Sequence, residues 1–165
     1  MIDAADRFEI LKLLSELEQA WRSLDFARIR ALWDDSADPV YFAEEAPEPL
    51  LDWPQLQAYW DGTGNLMEKM RMQILDEPTL RALSPELVSA VYRMHWDAVI
   101  RGDARPMGGD NRVCATFRRT AAGWRFAQYV ESPLAPIAYM RLLYERATTP
   151  GFVAGVRGGT FVVGP

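Results

Sequence analysis

The stretch CATFRRTAAGWRFAQYVES, residues 114–132, decides how the second half of this chain folds. Apolar and polar side chains alternate on both sides of TAAG, residues 120–123, whose composition is typical of a tight turn. The pattern predicts an antiparallel β-hairpin. On its second strand one face would carry four alternating side chains, Trp124, Phe126, Gln128 and Val130.

Gln128 is the polar member of that predicted face. A side-chain amide among apolar neighbours needs hydrogen-bond partners or a ligand. Gln128 is therefore a candidate ligand-binding residue. The alternative is an amide that pairs with a neighbouring strand or with a buried water.

Further strands precede this hairpin. Residues 87–100 form the longest strand candidate, and the turn-rich segment 101–111 joins it to the hairpin. Upstream, residues 70–74 alternate methionine or isoleucine with Arg71 and Gln73. The sequence therefore predicts a meander of antiparallel strands from residue 66 onward.

The first third of the chain is predicted to be helical. Apolar residues recur at helix spacing from Ile10 to Leu24, and a second short helix begins at Asp25. A third helix, residues 52–64, has Asp52 at its cap and glycines at its end. Helices followed by a strand meander indicate an α+β protein with the helices on one side of a sheet.

Two further segments complete the predicted organisation. Alternation over residues 40–42 indicates a short strand between the second and third helices, and a last helix follows Pro136. The tail, residues 148–165, is rich in glycine yet apolar, so we expect it to pack on its own sheet or on a partner subunit.

Composition narrows the classes of protein that this chain can belong to. A chain of 165 residues, 49% of them hydrophobic, is sufficient for one globular domain. Its basic residues are scattered and its net charge is −5, which argues against nucleic-acid binding. A single cysteine, no signal-peptide pattern and no apolar segment of membrane-spanning length predict a cytoplasmic protein without membrane association.

Three segments together resemble the nuclear-transport-factor-2-like superfamily, in particular its SnoaL-like members. They are DFARIRALW at 25–33, WPQLQAYW at 53–60 and the hairpin at 114–132. The resemblance covers roughly residues 6–133. It implies a cone in which a curved antiparallel sheet wraps around three N-terminal helices and encloses a deep pocket. We expect residues 1–147 to form this domain, with an extra C-terminal helix, and the outer sheet face to form a homodimer.

The resemblance leaves the activity open. Similar proteins include ketosteroid isomerases, scytalone dehydratase, limonene epoxide hydrolase and polyketide cyclases, and also non-catalytic transport or assembly modules. One hypothesis is therefore an enzyme that uses general acid–base chemistry on a cyclic or aromatic compound, and the other is a ligand-binding or assembly module. Many SnoaL-like chains carry histidines where this one has Gln128 and Val130, so chemistry that depends on those histidines is not expected.

The stretch YRMHWDAV, residues 92–99, contains the only histidine, His95. On a strand His95 shares a face with Arg93 and Asp97. If that face lines the pocket, His95 is a candidate base, Asp97 its orienting partner and Arg93 an anchor for an anionic group. The alternative is a solvated face, with Tyr92, Met94 and Trp96 turned to the core.

Two aromatic residues complete the set of candidate ligand contacts. Tyr41 could donate a hydrogen bond from its phenol hydroxyl to a carbonyl. Trp60 could form part of an aromatic wall, although core packing is the better explanation for it. One histidine and one cysteine are too few for a metal site of the usual kind, so neither a metal nor another cofactor is predicted. The expected partner is a small apolar or aromatic organic molecule.

Overall fold

A computed structural model describes residues 2–103, 105–134, 137–147 and 149 of the chain. The chain divides into two compact units, Met1–Leu134 and Ala135–Pro165. The first unit contains three helices and all the described strands. No helix in the described part of the chain is long and apolar enough to span a membrane.

Each of the three N-terminal helices begins directly after an aspartate. Helix α1 (Ala4–Ser23), α2 (Phe26–Ala31) and α3 (Trp53–Leu66) follow Asp3, Asp25 and Asp52, respectively. Each aspartate accepts a hydrogen bond from a backbone N–H in the first turn, at 2.8–2.9 Å. These bonds satisfy amide groups that have no partner within the helix.

Helix α3 is longer than the sequence indicates. The glycines that were expected to end it, Gly62 and Gly64, lie inside the helix, which continues to Leu66. A Cβ atom at Gly64 would stand only 2.9 Å from the ring of Phe26 on α2. Gly64 therefore allows α2 to approach α3 closely, and a glycine near a helix end does not have to be its stop signal.

The described strands form one curved, open, six-stranded sheet. The strands are β1 (Val40–Phe42), β2 (Met67–Ile74), β3 (Thr79–Ser84), β4 (Leu87–Ile100), β5 (Met107–Thr120) and β6 (Gly123–Pro133). The order is β1–β6–β5–β4–β2, and β3 also pairs with β4. The predicted α+β fold is confirmed, although the sheet is mixed because β1 runs parallel to β6.

The predicted hairpin is formed by β5 and β6. Thr120 pairs with Gly123, whose φ of +94° is a conformation that glycine adopts readily. Thr116 pairs with Gln128, but Phe117 pairs with Phe126, so Ala127 is an extra residue on β6. This β-bulge reverses the alternation of side chains in the second half of the strand.

Aromatic side chains fill the space between the helices and the sheet. Trp33, after α2, contacts the rings of four other aromatic residues, and its ring lies 5.6 Å from that of Phe126 on β6. Helix α1 packs against β2 and β6. The inward face of the sheet is thus covered by helices, and the opposite face is available to solvent.

The second unit contains helix α4 (Ile137–Ala147), which begins at the position that the sequence predicts. The predicted packing of the tail, residues 148–165, lies outside the described residues, apart from Thr149.

Candidate functional site

Strand β4 turns the face with the histidine away from the helices. Tyr92, Met94 and Ala98 are buried in the core, at 2–4% exposure, whereas the His95 side chain is 32% exposed on the other face. Arg93, His95 and Asp97 therefore do not line the interior, and the alternative, a solvated face with Tyr92 and Met94 turned to the core, is found. Both alternating sets on β4 contain apolar residues, and only the packing of the helices decides which set is buried.

The outward set of β4 forms ion pairs along the sheet. His95 Nδ1 lies 2.7 Å from Asp110 Oδ1, and its Nε2 lies 3.2 Å from Asp97 Oδ1. Asp97 also accepts from Arg71 Nε at 2.8 Å, and Arg93 Nε donates to Asp76 at 2.6 Å. The hydrogen bonds to Asp110 and Asp97 raise the pKa of His95. These contacts are those of a charged surface network.

Gln128 also lies on the outward face, because of the bulge at Ala127. Its Cα partners are Thr116 on β5 and Val40 on β1. The interior positions after the bulge belong to Tyr129 and Glu131. The prediction that Gln128 shares the face of Trp124 and Phe126 is wrong for this reason.

Tyr41 and Trp60 do lie in the interior, as two of its buried aromatic residues. The ring of Tyr41 stacks on that of Tyr129 with centroids 5.6 Å apart. Trp60 is fully buried, and its indole N–H has no hydrogen-bond partner among the described residues. A cavity of about 10 Å³ lies among these rings, which is room for about one water molecule.

Glu131 is the acidic side chain that the bulge turns inward. Tyr41 Oη donates to Glu131 Oε1 at 3.3 Å, and Asn111 Nδ2 donates to Glu131 Oε2 at 3.2 Å. Burial, followed by the charges of Glu44 and Glu45, raises the pKa of Glu131 to about 8. At neutral pH this carboxyl is therefore mostly protonated, and it exchanges its proton close to physiological pH.

Two more carboxylates lie beside Glu131, on the segment after β1. Burial raises the pKa of Glu44, and the charge of Glu45 raises it further. Glu45 accepts a hydrogen bond from Tyr59 Oη at 2.8 Å. We call Glu44, Glu45 and Glu131 the carboxylate cluster.

Asn111 connects this cluster to β5. Asn111 is 1% exposed, and its Nδ2 donates to Glu131. A side-chain hydrogen bond with Asn111 also lowers the pKa of Glu44. Asn111 Oδ1 is buried and has no partner among the described residues. A buried acceptor without a donor is costly, so this oxygen is a position where a ligand donor would be favourable.

The sequence contains little that marks this site. Glu131 is two residues beyond Tyr129 and appears solvent-facing if the alternation is extended from Trp124 without a bulge. Asn111 falls in a turn-rich segment in the sequence but belongs to β5 in the structure. No group of three or more His, Cys, Asp or Glu side chains within the described ranges is arranged to hold a metal ion.

The first unit is an α+β domain whose curved sheet has helices on one face and titratable groups at the interior. The family model of the SnoaL-like domain matches residues 10–136. The chain therefore belongs to the SnoaL-like domain family. No curated protein matches the sequence.

Solved structures agree with this fold. A nuclear transport factor 2-like protein from Salmonella enterica has a TM-score of 0.74 at 16% identity, over 81% of this chain and 94% of that one. A type 2 hexachlorocyclohexane dehydrochlorinase has a TM-score of 0.65 at 14% identity, over 81% and 91%. The CaMKII hub of S. rosetta has a TM-score of 0.65 at 18% identity, over 80% and 99%. At such low identities these likenesses establish the fold alone.

Proposed function

We propose that this protein is an enzyme that performs general acid–base chemistry on a small cyclic or aromatic compound, with Glu131 as the proton-transferring group. The observation that carries the proposal is an inward carboxyl with a pKa of about 8, held by Tyr41 and Asn111. Groups with a pKa near the working pH are the most effective proton donors and acceptors. A dehydrochlorinase among the structural neighbours is consistent with such chemistry on this fold.

Each neighbour of Glu131 has a part in this proposal. When Glu131 takes a proton from a substrate carbon, its charge is neutralised, which the apolar surroundings favour. Tyr41 and Asn111 orient the two carboxyl oxygens through their hydrogen bonds. Glu131 is half-buried beside the aromatic core to which Tyr41 belongs. We place the enzyme in the cytoplasm as part of this proposal, because its single cysteine needs no oxidising compartment.

The proposal predicts a measurable base reaction with 5-nitrobenzisoxazole. A base removes the ring C–H proton of this compound, the N–O bond breaks, and a coloured cyanophenolate forms. We expect the purified protein to accelerate this reaction with a rate that rises through an apparent pKa of about 8. Glu131→Gln should lower the rate at least about tenfold, because an amide cannot accept the proton.

Two variants make that assay decisive. Glu86→Gln is the matched control, because Glu86 is exposed in the turn between β3 and β4, and its rate should equal that of the wild type. A wild-type rate in Glu131→Gln would refute the assignment of Glu131. Loss of the rate in His95→Gln, with Glu131→Gln unaffected, would instead assign the base to the outward network.

A second candidate is an assembly or ligand-binding module that dimerises through the outer sheet face. The specific observation is Val91, a β-branched side chain that is 53% exposed on β4, in the interior of the sheet order. The small central cavity, about 10 Å³, also suits a protein whose interior is mainly a core. A hub domain among the structural neighbours is consistent with this candidate.

Substitution of Val91 tests the proposed homodimer. We expect the wild type to sediment as a dimer and Val91→Lys to sediment as a monomer, because a buried unpaired ammonium at an apolar contact is strongly unfavourable. Ala121→Lys, in the exposed turn between β5 and β6, adds the same charge and is the control. Sedimentation velocity at several protein concentrations measures the outcome, and a monomeric wild type would exclude the dimer.

A further inference from the structure

Within the described part of the chain, no cationic side chain pairs with the carboxylate cluster. The ion pairs formed among the described residues involve none of its three members. Instead, besides burial, the charges of Glu44 and Glu45 raise the pKa of Glu131, and the charge of Glu45 raises the pKa of Glu44. The charges of Glu44 and Glu45 thus disfavour ionisation of Glu131, and a positive charge placed among the three groups would relieve this repulsion.

The buried amide of Asn111 is an independent observation at the same site, because one of its two polar atoms is unsatisfied among the described residues. Its nitrogen serves the carboxyl groups of Glu131 and Glu44, and its oxygen, Oδ1, has no donor among the described residues. Asn111 Oδ1 is thus a buried acceptor without a donor, on a side chain whose nitrogen bonds the carboxylate cluster. An ammonium group has donors only, and it supplies both the hydrogen bond and the charge.

Aromatic rings surround the same position. Tyr41 and Tyr59 have centroids 5.5 Å apart, and their hydroxyls bond Glu131 and Glu45. Trp96 on β4 is within hydrogen-bonding reach of Glu44. Rings of this kind attract cations through their faces and also bind apolar groups.

We infer that the carboxylate cluster and Asn111 bind the ammonium group of an organic amine whose body is apolar or aromatic. The inference rests on the proposed function, because it names the substrate class for the same site. It differs from the hypothesis that Arg93 anchors an anionic group, since Arg93 lies on the outward face and is paired with Asp76. The amine would contact Glu131 directly and keep its apolar body against the rings.

Binding of a cation should expel a proton from the site. The free site holds a mostly protonated Glu131 at pH 7, and a nearby ammonium group favours the carboxylate form. A neutral ligand of the same size has no such effect. Proton release therefore separates recognition of charge from simple filling of an apolar space.

Isothermal titration calorimetry with three benzyl compounds tests the inference. Benzylamine, benzyl alcohol and benzoate share the ring and carry a positive charge, no charge and a negative charge, respectively. At pH 7 we expect benzylamine to bind at least about tenfold more tightly than benzyl alcohol, and benzoate not to bind. Titrations in two buffers of different ionisation enthalpy should reveal release of about half a proton to one proton per benzylamine.

Variants locate the effect. Glu131→Gln should reduce the preference for benzylamine over benzyl alcohol to less than about threefold and abolish the proton release. Glu86→Gln, the exposed control, should behave as the wild type. Asn111→Ala is a second variant and should weaken benzylamine and benzyl alcohol alike, because both lose the acceptor at Oδ1.

The outcomes separate this inference from the proposed function. Equal binding of the three compounds, tighter binding of benzoate, or benzylamine binding without proton release would overturn the inference. The benzisoxazole assay would still report on Glu131 as a base in each of those cases. A retained rate in Glu131→Gln together with a lost preference for benzylamine would refute Glu131 as the base and support cation binding.

Discussion

The free energy of unfolding is expected to fall by about 3 kcal/mol between pH 5 and pH 8 because of Glu131. In the unfolded chain this carboxyl loses its proton near pH 4.5, whereas in the folded protein it does so near pH 8. Between these values the folded state binds the extra proton, so a rise in pH favours the unfolded state. The loss should be complete once the pH exceeds about 8.

Urea unfolding of the wild type and Glu131→Gln at pH 5, 6, 7 and 8 measures this effect. Glutamine resembles the protonated acid and does not titrate, so the variant should gain in stability relative to the wild type as the pH rises. His95 also loses its stabilising contribution as the pH rises through its raised pKa, but both proteins contain it, and the comparison cancels it. Parallel profiles would mean that Glu131 is ionised in the folded protein.

Replacement of Trp33 by alanine should cost about 3–5 kcal/mol of folding stability. Trp33 is 4% exposed, and its ring contacts those of Tyr41, Trp53, Trp60 and Phe126. Alanine would leave a cavity between α2, α3 and β6 that several bulky rings cannot refill together.

Chemical denaturation at pH 6 checks this prediction. Phe8→Ala is the control, because Phe8 is 69% exposed on α1, and it should change stability by less than about 0.5 kcal/mol. Trp33→Phe keeps a ring in place and gives a measurable protein if the alanine variant does not fold. A loss below about 1 kcal/mol in Trp33→Ala would show that the aromatic core repacks.

The elements of this fold are predictable because their signals are local. Three aspartates, Asp3, Asp25 and Asp52, precede apolar residues at helix spacing, and all three cap helices. The strand predicted at residues 87–100 is found with those bounds as β4. Caps, turns and periodicity each depend on a few neighbouring residues, which a single sequence records.

The candidate site is less predictable because it depends on long-range packing. On β4 the alternation defines two sets of side chains, and α1 and its neighbours decide that Tyr92 and Met94 are buried rather than His95. On β6, regular alternation from Trp124 would place Gln128 at the interior, but the bulge at Ala127 turns Gln128 outward and Glu131 inward. Tyr41 and Trp60 are in the interior in either case, since a large aromatic side chain is most stable when buried.

The bulge at Ala127 has a consequence for how sequences with this fold can diverge. Deletion of that one residue would restore regular alternation and leave Tyr129 and Glu131 at the interior, because Gln128 would then follow Phe126 directly and still face outward. A single codon lost at this point would thus remove the bulge and keep the acid at the interior. Relatives of this chain can therefore differ by one residue in the length of β6 and present the same inward side chains.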